Sequence, residues 1–162
     1  MAKMLNSDDL FFKDFEPQLS HRFYMYIDGI PSYIIKAATK PSLQINPITI
    51  DHVNMKRKVQ GKGEWQDITV TLYSPINPSG SQAAIEWIRL GYEWATGRTG
   101  YSDFYKKDLT LNAIGPVGDI VEEWILKGAW VSSANWGQFD WATDDLVNIE
   151  LTITYDFALL SF

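Results

Sequence analysis

Apolar and polar residues alternate through the C-terminal stretch, where Val147, Ile149, Leu151, Ile153, Tyr155 and Phe157 oppose Asn148, Glu150, Thr152, Thr154 and Asp156. A period of two marks a strand with one buried and one wet face, so residues 145–159 are expected as one long strand. The same alternation sets Ile68, Val70 and Leu72 against Asp67, Thr69 and Thr71, which predicts a strand over 65–73. Near the start, Phe23, Met25 and Ile27 share a face within 21–28. Gly29-Ile30-Pro31-Ser32 supplies turn chemistry, and a second strand over 33–39 ends at Lys40-Pro41, since proline cannot donate to a ladder. Two more strands are expected at 109–114 and 119–130.

A helical period appears once. Ser79-Gly80-Ser81-Gln82 has capping-box spacing and opens a helix over 79–96, stopped by Gly97, with Ala84, Trp87, Ile88, Gly91, Trp94 and Ala95 as an apolar stripe for a sheet. Residues 43–63 form a long segment rich in β-branched residues, interrupted by Pro47 and ending in Gly61-Lys62-Gly63, which reads as a turn. It is expected to project as a hairpin or ordered loop. Residues 1–18 form an apolar arm, helical or extended, and 97–108 a surface loop. The fold class implied is mainly β: an antiparallel β-sandwich or half-barrel in a single domain, 1–162, with one flanking α-helix and strands mostly joined by hairpins.

Composition and charge narrow the function. With 46% hydrophobic and 14% aromatic residues the chain is globular rather than disordered. It has no cysteine, which excludes disulfides, thiolate metal sites and a cysteine nucleophile. The first nine residues turn acidic before any apolar run of signal-peptide length develops, and no window approaches the roughly 18 apolar residues of a membrane span. A soluble chain is expected. The net charge of −6 argues against a protein that grips nucleic acid by neutralising phosphates. The charge is also polarised: residues 119–162 carry eight acids and a single base, Lys127, while Lys56, Arg57, Lys58 and Lys62 crowd into seven positions. Such asymmetry suits a head-to-tail contact between two different patches of identical subunits.

Catalytic patterns are missing. His21 and His52 are the only histidines, so a metal site would rest on carboxylates; Gly61-Lys62-Gly63 lacks the remainder of a P-loop; and no serine sits in a nucleophile elbow. Adjacent acids at Asp8-Asp9, Glu122-Glu123 and Asp144-Asp145 would point to opposite faces of a strand rather than at one substrate. No cofactor, metal or catalytic residue is expected. Of the seven tryptophans, Trp124, Trp130, Trp136 and Trp141 could form a sugar-stacking platform, which keeps a carbohydrate-binding β-sandwich as the alternative from a different class; core and subunit-interface roles are favoured.

Three passages in order, Lys36-Ala37-Ala38-Thr39-Lys40-Pro41, then Met55-Lys56-Arg57-Lys58-Val59 with Gly61 and Trp65 to Thr71, then Ile125-Leu126-Lys127-Gly128-Ala129-Trp130 with Asp140-Trp141 and the long final strand, carry a family likeness. Over about residues 17–159 the chain resembles the T4-type tail tube proteins of contractile phage tails and related injection systems. The resemblance implies a structural, non-enzymatic virion subunit whose hexameric rings complete an inner β-barrel and stack into a tube for DNA ejection. The implied partners are its own copies, the tail sheath protein, baseplate tube-initiator and tail terminator proteins, a tape measure protein in the lumen and DNA passing non-specifically. Assembly would take place in the bacterial host cytoplasm. A headless contractile injection system would use the same architecture.

On that reading the segment 43–63 reaches the neighbouring ring, with Lys56, Arg57, Lys58 and Lys62 as inter-ring contacts and Asp144, Asp145, Asp8 and Asp9 as candidate partners. Asp67, Thr69, Thr71, Asn148, Glu150, Thr152, Thr154 and Asp156, the polar sides of the two alternating strands, are expected to face the lumen.

Overall fold

The alternation seen in the sequence becomes the inner surface of two packed β-layers in the computed structural model, which describes residues 16–161. The strands are β1 (Phe23–Tyr26), β2 (Ile35–Ala38), β3 (Ser42–His52), β4 (Met55–Gln66), β5 (Ile68–Tyr73), β6 (Tyr92–Glu93), β7 (Arg98–Thr99), β8 (Lys107–Ile114), β9 (Ile120–Asn135), β10 (Asn148–Thr154) and β11 (Phe157–Ser161). Two α-helices, α1 (Gly80–Gly91) and α2 (Ser102–Tyr105), lie between β5 and β8. Every strand pairing is antiparallel.

Sixteen-residue β9 joins the layers. Its first part pairs with β8 and β11, and β8 carries β1 on its other side. From Trp130 to Asn135 it pairs instead with β10, followed by β5 and β2. Gly128, at φ 64°, marks the transition: the inward positions pass from Leu126 to Ala129, a step of three that a regular strand would not allow. A side chain there would also collide with the Asp156 carboxylate.

One core fills the space between the layers. Met25, Leu109, Leu111 and Leu126 come from one side, and Ile68, Val70, Leu72, Ile149, Leu151 and Ile153 from the other. Helix α1 adds Ala84 and Trp87. Ser79 caps it by accepting from the Gln82 amide at 3.4 Å. The Trp87 indole donates to the Tyr105 carbonyl at 2.9 Å, which pins α2 beneath the helix.

Several expectations change in detail. The turn after β1 exists, closed by an Ile27–Ile30 bridge, yet β1 and β2 do not form a hairpin. A 3₁₀ turn over Ser32–Ile34, anchored by buried Ile30 and Ile34, sends them to different layers, where β1 meets β8 and β2 meets β5. The projecting segment is a true hairpin, β3–β4, but its turn is at Val53-Asn54, and Gly61-Lys62-Gly63 lies inside β4. The glycines serve a bulge there: ten residue pairs form across the hairpin with one register shift, between Ile45 and Pro47. Helix α1 stops at Gly91, which rests against the Tyr105 ring. Trp94 and Ala95 therefore fall in the β6–β7 turn, completed by Gly97 at φ 69°. The predicted loop 97–108 contains β7 and α2.

The long final strand is two strands. After Tyr155 the chain bends at Asp156, whose amide donates to the Lys127 carbonyl at 3.0 Å, and β11 leaves to pair with β9. The alternation inverts with it: Ala158 is buried and Phe157 is exposed. The arm 1–18 lies, up to Phe15, outside the described residues, and so do Asp8 and Asp9.

Candidate functional site

Surfaces rather than a cleft carry the candidate chemistry. The outward side of the β9–β10–β5–β2 layer holds two cross-strand rows, Thr71–Glu150–Asn135 and Thr69–Thr152–Ser133, with Asn148 opposite Tyr73 at one end. Thr154, on the same side of β10, ends that strand, and Asp67 is exposed at the junction of β4 and β5. Seven of the eight predicted lumen residues are thus gathered on or beside one polar face, whose opposite side is fully buried Ile68, Val70, Leu72, Ile149, Leu151 and Ile153. Asp156 is the one that departs. It sits in the bend beyond β10, held by Lys106 at 3.0 Å. The sequence reading missed Lys36, whose ammonium lies 5.6 Å over the Tyr73 ring and brings a cation to the edge of this face. The face is mainly hydroxyl and amide, with Glu150 its central charge.

This layer has two edges without a strand partner among the described residues. β2 pairs only with β5, and the Val131–Asn135 part of β9 pairs only with β10.

The β3–β4 hairpin is exposed on both faces along nearly all of its length. Pairing places Lys56 opposite Asp51 and Lys58 opposite Thr49 on one face, while Arg57 pairs with Ile50 on the other. The cationic cluster is therefore split, and Lys62 falls in the bulge, apart from both groups. Near the base, Leu43, Ile45 and Trp65 share a face, and Trp65 packs at 6.1 Å against the ring of Tyr155. Past the bulge the apolar residues Ile48, Ile50, Val59 and Met55 lie on the reverse face.

Three titratable groups among the described residues are moved from their ordinary values, each by structural contacts or burial. Glu122 accepts from Gln18 Nε2 at 2.9 Å, from Lys40 Nζ at 3.1 Å and from the Trp124 indole. The Gln18 hydrogen bond, followed by those of Trp124 and Lys40, holds its carboxyl below the ordinary carboxylate value against the opposing effect of burial. Lys127 likewise lowers Asp108 through a 2.7 Å contact. Burial raises the Tyr155 phenol and the Asp67 charge adds to the rise, while the Ser42 backbone opposes it; the hydroxyl lies near that backbone without reaching good hydrogen-bond geometry. No group of three or more potential metal ligands occurs among the described residues, and no helix among them is long and apolar enough to cross a membrane.

The tryptophans are dispersed. Trp87 is core, Trp124 is tied to Glu122, and Trp130 meets Tyr105 edge-on. Trp136 joins Trp94, Ser81 and Ile85 around a shallow depression, whereas Trp141 is fully exposed at the tip of the 136–147 loop.

Comparison with known proteins gives one consistent picture. A direct comparison with curated proteins finds no match. Among solved structures, the chain is similar to one in the sheath/tube terminator of an extracellular contractile injection system, PVC, in the extended state, with a TM-score of 0.74, 18% identity, and coverage of 92% of this chain and 99% of that one. It is also similar to a chain of the PVC sheath–tube complex, with a TM-score of 0.71, 18% identity, and coverage of 98% and 99%. A chain of the six-fold symmetrised baseplate of the anti-feeding prophage gives a TM-score of 0.70, 13% identity, and coverage of 91% and 97%. At these identities the likeness is one of fold. The model of the T4-like virus tail tube protein gp19 matches residues 19–157, and the chain belongs to that tail tube protein family.

Proposed function

We propose that this protein is the non-catalytic subunit of the inner tube of a contractile tail, closing six-fold rings whose inner wall is the β9–β10–β5–β2 layer and stacking them into a conduit. The observation that carries the reading is the polar outer side of that layer, flanked by two unpaired edges, in a chain of the tail tube family. Unpaired edges offer free backbone donors and acceptors to another chain, and joining β2 of one copy to the second part of β9 of the next satisfies them without new structure.

The lining suits passage. Duplex DNA carries a charge every ~1.7 Å, and each lysine that a symmetric ring turned inward would recur around the channel as a phosphate contact. Thr69, Thr71, Thr152, Thr154, Asn148 and Glu150 offer neutral or repelling groups over most of the face, with Asp67 at the rim and Lys36, drawn over the Tyr73 ring, at the β2 edge. On this reading the partners are further copies, a sheath around the outside, initiator and terminator proteins at the ends, and a tape measure protein or DNA within, with assembly in the host cytoplasm. The likeness to injection-system tube chains favours a second reading in which the same tube serves a headless particle.

Electron microscopy of the purified chain tests the proposal. Hollow tubes or rings are expected, if necessary with baseplate components as nuclei. A monodisperse monomer at high concentration that stays monomeric on such nuclei would contradict it.

A further inference from the structure

The two free edges of the polar layer run in opposite directions. β5 and the second part of β9 point one way, β10 and β2 the other, so an edge joint between copies continues the antiparallel order found within the chain. Such a joint also fixes which surfaces agree. The Thr71–Glu150–Asn135 and Thr69–Thr152–Ser133 rows occupy one surface of the wall, and the opposite surface, where Ala38 of β2 and Ala134 of β9 pack on the core, is shared as well.

On that core side the two edges carry different things. Helix α1 follows the second part of β9 from end to end: Ser81 and Ile85 meet Trp136, just past the strand, while Ile88 and Gly91 meet Trp130 and Val131 at its start. Ala84 and Trp87 turn into the core, so helical spacing directs Gln82, Ile85, Glu86 and Arg89 away from it. β2 borders a groove of about 680 Å³ that opens between it and the β1–β8 pair, lined by apolar Leu19, Phe23 and Leu111 and by the cations Arg22, Lys36 and Lys40. Of these cations only Lys40 makes an ion pair among the described residues, with Glu122.

Helix and groove match in size and in charge. Packed sheets lie about 10 Å apart, so in a six-fold ring the second layer has roughly 10 Å more arc to cover per copy than the inner wall, close to the width of one helix. Twelve-residue α1 extends about 18 Å, and the groove side from Lys36 to Lys40 roughly 15 Å. Glu86 is exposed on α1, and Arg22 and Lys36 stand at the groove.

We propose that α1 of each copy seats in the β1–β2 groove of the next copy around the ring, with Ile85 against Leu19 and Phe23 and Glu86 toward Arg22 and Lys36. The helix is then a wedge that fills the wider outer arc and covers the neighbour's core as well as its own. The proposal rests on the ring reading, to which it adds the occupant of the outer half of the joint.

A chain without native cysteine permits a direct test. A Ser20→Cys/Gln82→Cys double variant, assembled and treated with a bifunctional thiol reagent, is expected to give a ladder on a denaturing gel that stops at hexamer, because the contact closes on itself around the ring; each single variant gives none. Leu19→Glu and Glu86→Lys change exposed side chains and should leave the melting of the monomer unaltered, yet each should raise the concentration needed for assembly several-fold. Adding Arg22→Glu to Glu86→Lys should restore assembly toward the wild-type level. Normal rings from the cysteine variant without a ladder, or unchanged assembly of Leu19→Glu, would show that something other than α1 fills the groove and overturn the proposal while leaving the edge joint intact. A ladder running on past hexamer would place α1 between rings and overturn it equally. A wild-type chain that forms neither rings nor tubes would remove both readings.

Discussion

Glu122 shows what single side chains do here. Its carboxylate ties Gln18, just before β1, to Lys40, just after β2, and to Trp124 on β9, closing the side of the sandwich where the two edge strands diverge. Its folded-state pKa is lowered, so the stabilisation is fully present above the unfolded carboxyl pKa and is lost as pH falls through the folded value. Because Lys40 is half exposed, only about 1 kcal/mol is expected from the network. Glu122→Gln should thus melt a few degrees below the wild type at neutral pH and converge with it in acid. Thermal melts across the two conditions check this, and a deficit that stays constant with pH would show that the carboxylate's charge is not the cause. Nothing in the sequence could signal this network, because it joins residues 104 positions apart.

At the scale of elements, legibility followed periodicity. Ile68 to Leu72 and Ile149 to Ile153 alternate, and they are the buried sides of paired β5 and β10 as expected. The capping pattern at Ser79 marks the helix start, whereas the helical spacing of Trp94 and Ala95 extends five residues past its end at Gly91, where the β6–β7 turn overrides it. Phe157 keeps the alternation and so hides the break in the final strand; the Asp156 bend, fixed by Lys106 and the Lys127 carbonyl, is a tertiary event. The glycines of β4 look like turn residues in sequence, yet Gly61 is there for close approach. An added Cβ would strike the Asn46 carbonyl and come within 3.2 Å of Ile48. Gly61→Ala should therefore disturb hairpin pairing by about 1–3 kcal/mol while sparing the core. Trypsin cleavage at Lys56 to Lys58 should accelerate roughly ten-fold or more by the same reckoning, with the melting of the body unchanged; equal cleavage rates would show that the bulge tolerates a side chain.

For the whole molecule, the polarised charge visible in the sequence takes on a direction. The basic hairpin leaves one end of the polar layer, and three of the acids of the C-terminal portion, Asp140, Asp144 and Asp145, collect at the other. Seven of the eight residues expected in the lumen fell on or beside one face because strand alternation is local, whereas the splitting of Lys56, Lys58 and Arg57 between faces was hidden until the hairpin register was known. The central claim is that the Thr71–Glu150–Asn135 and Thr69–Thr152–Ser133 rows look into a shared channel. A helical cryo-EM reconstruction of the tube at side-chain resolution measures this directly. The account predicts those rows on the inner wall, with β2 of each copy joined to the second part of β9 of its neighbour. Finding the same rows buried between subunits or turned toward the sheath would contradict it.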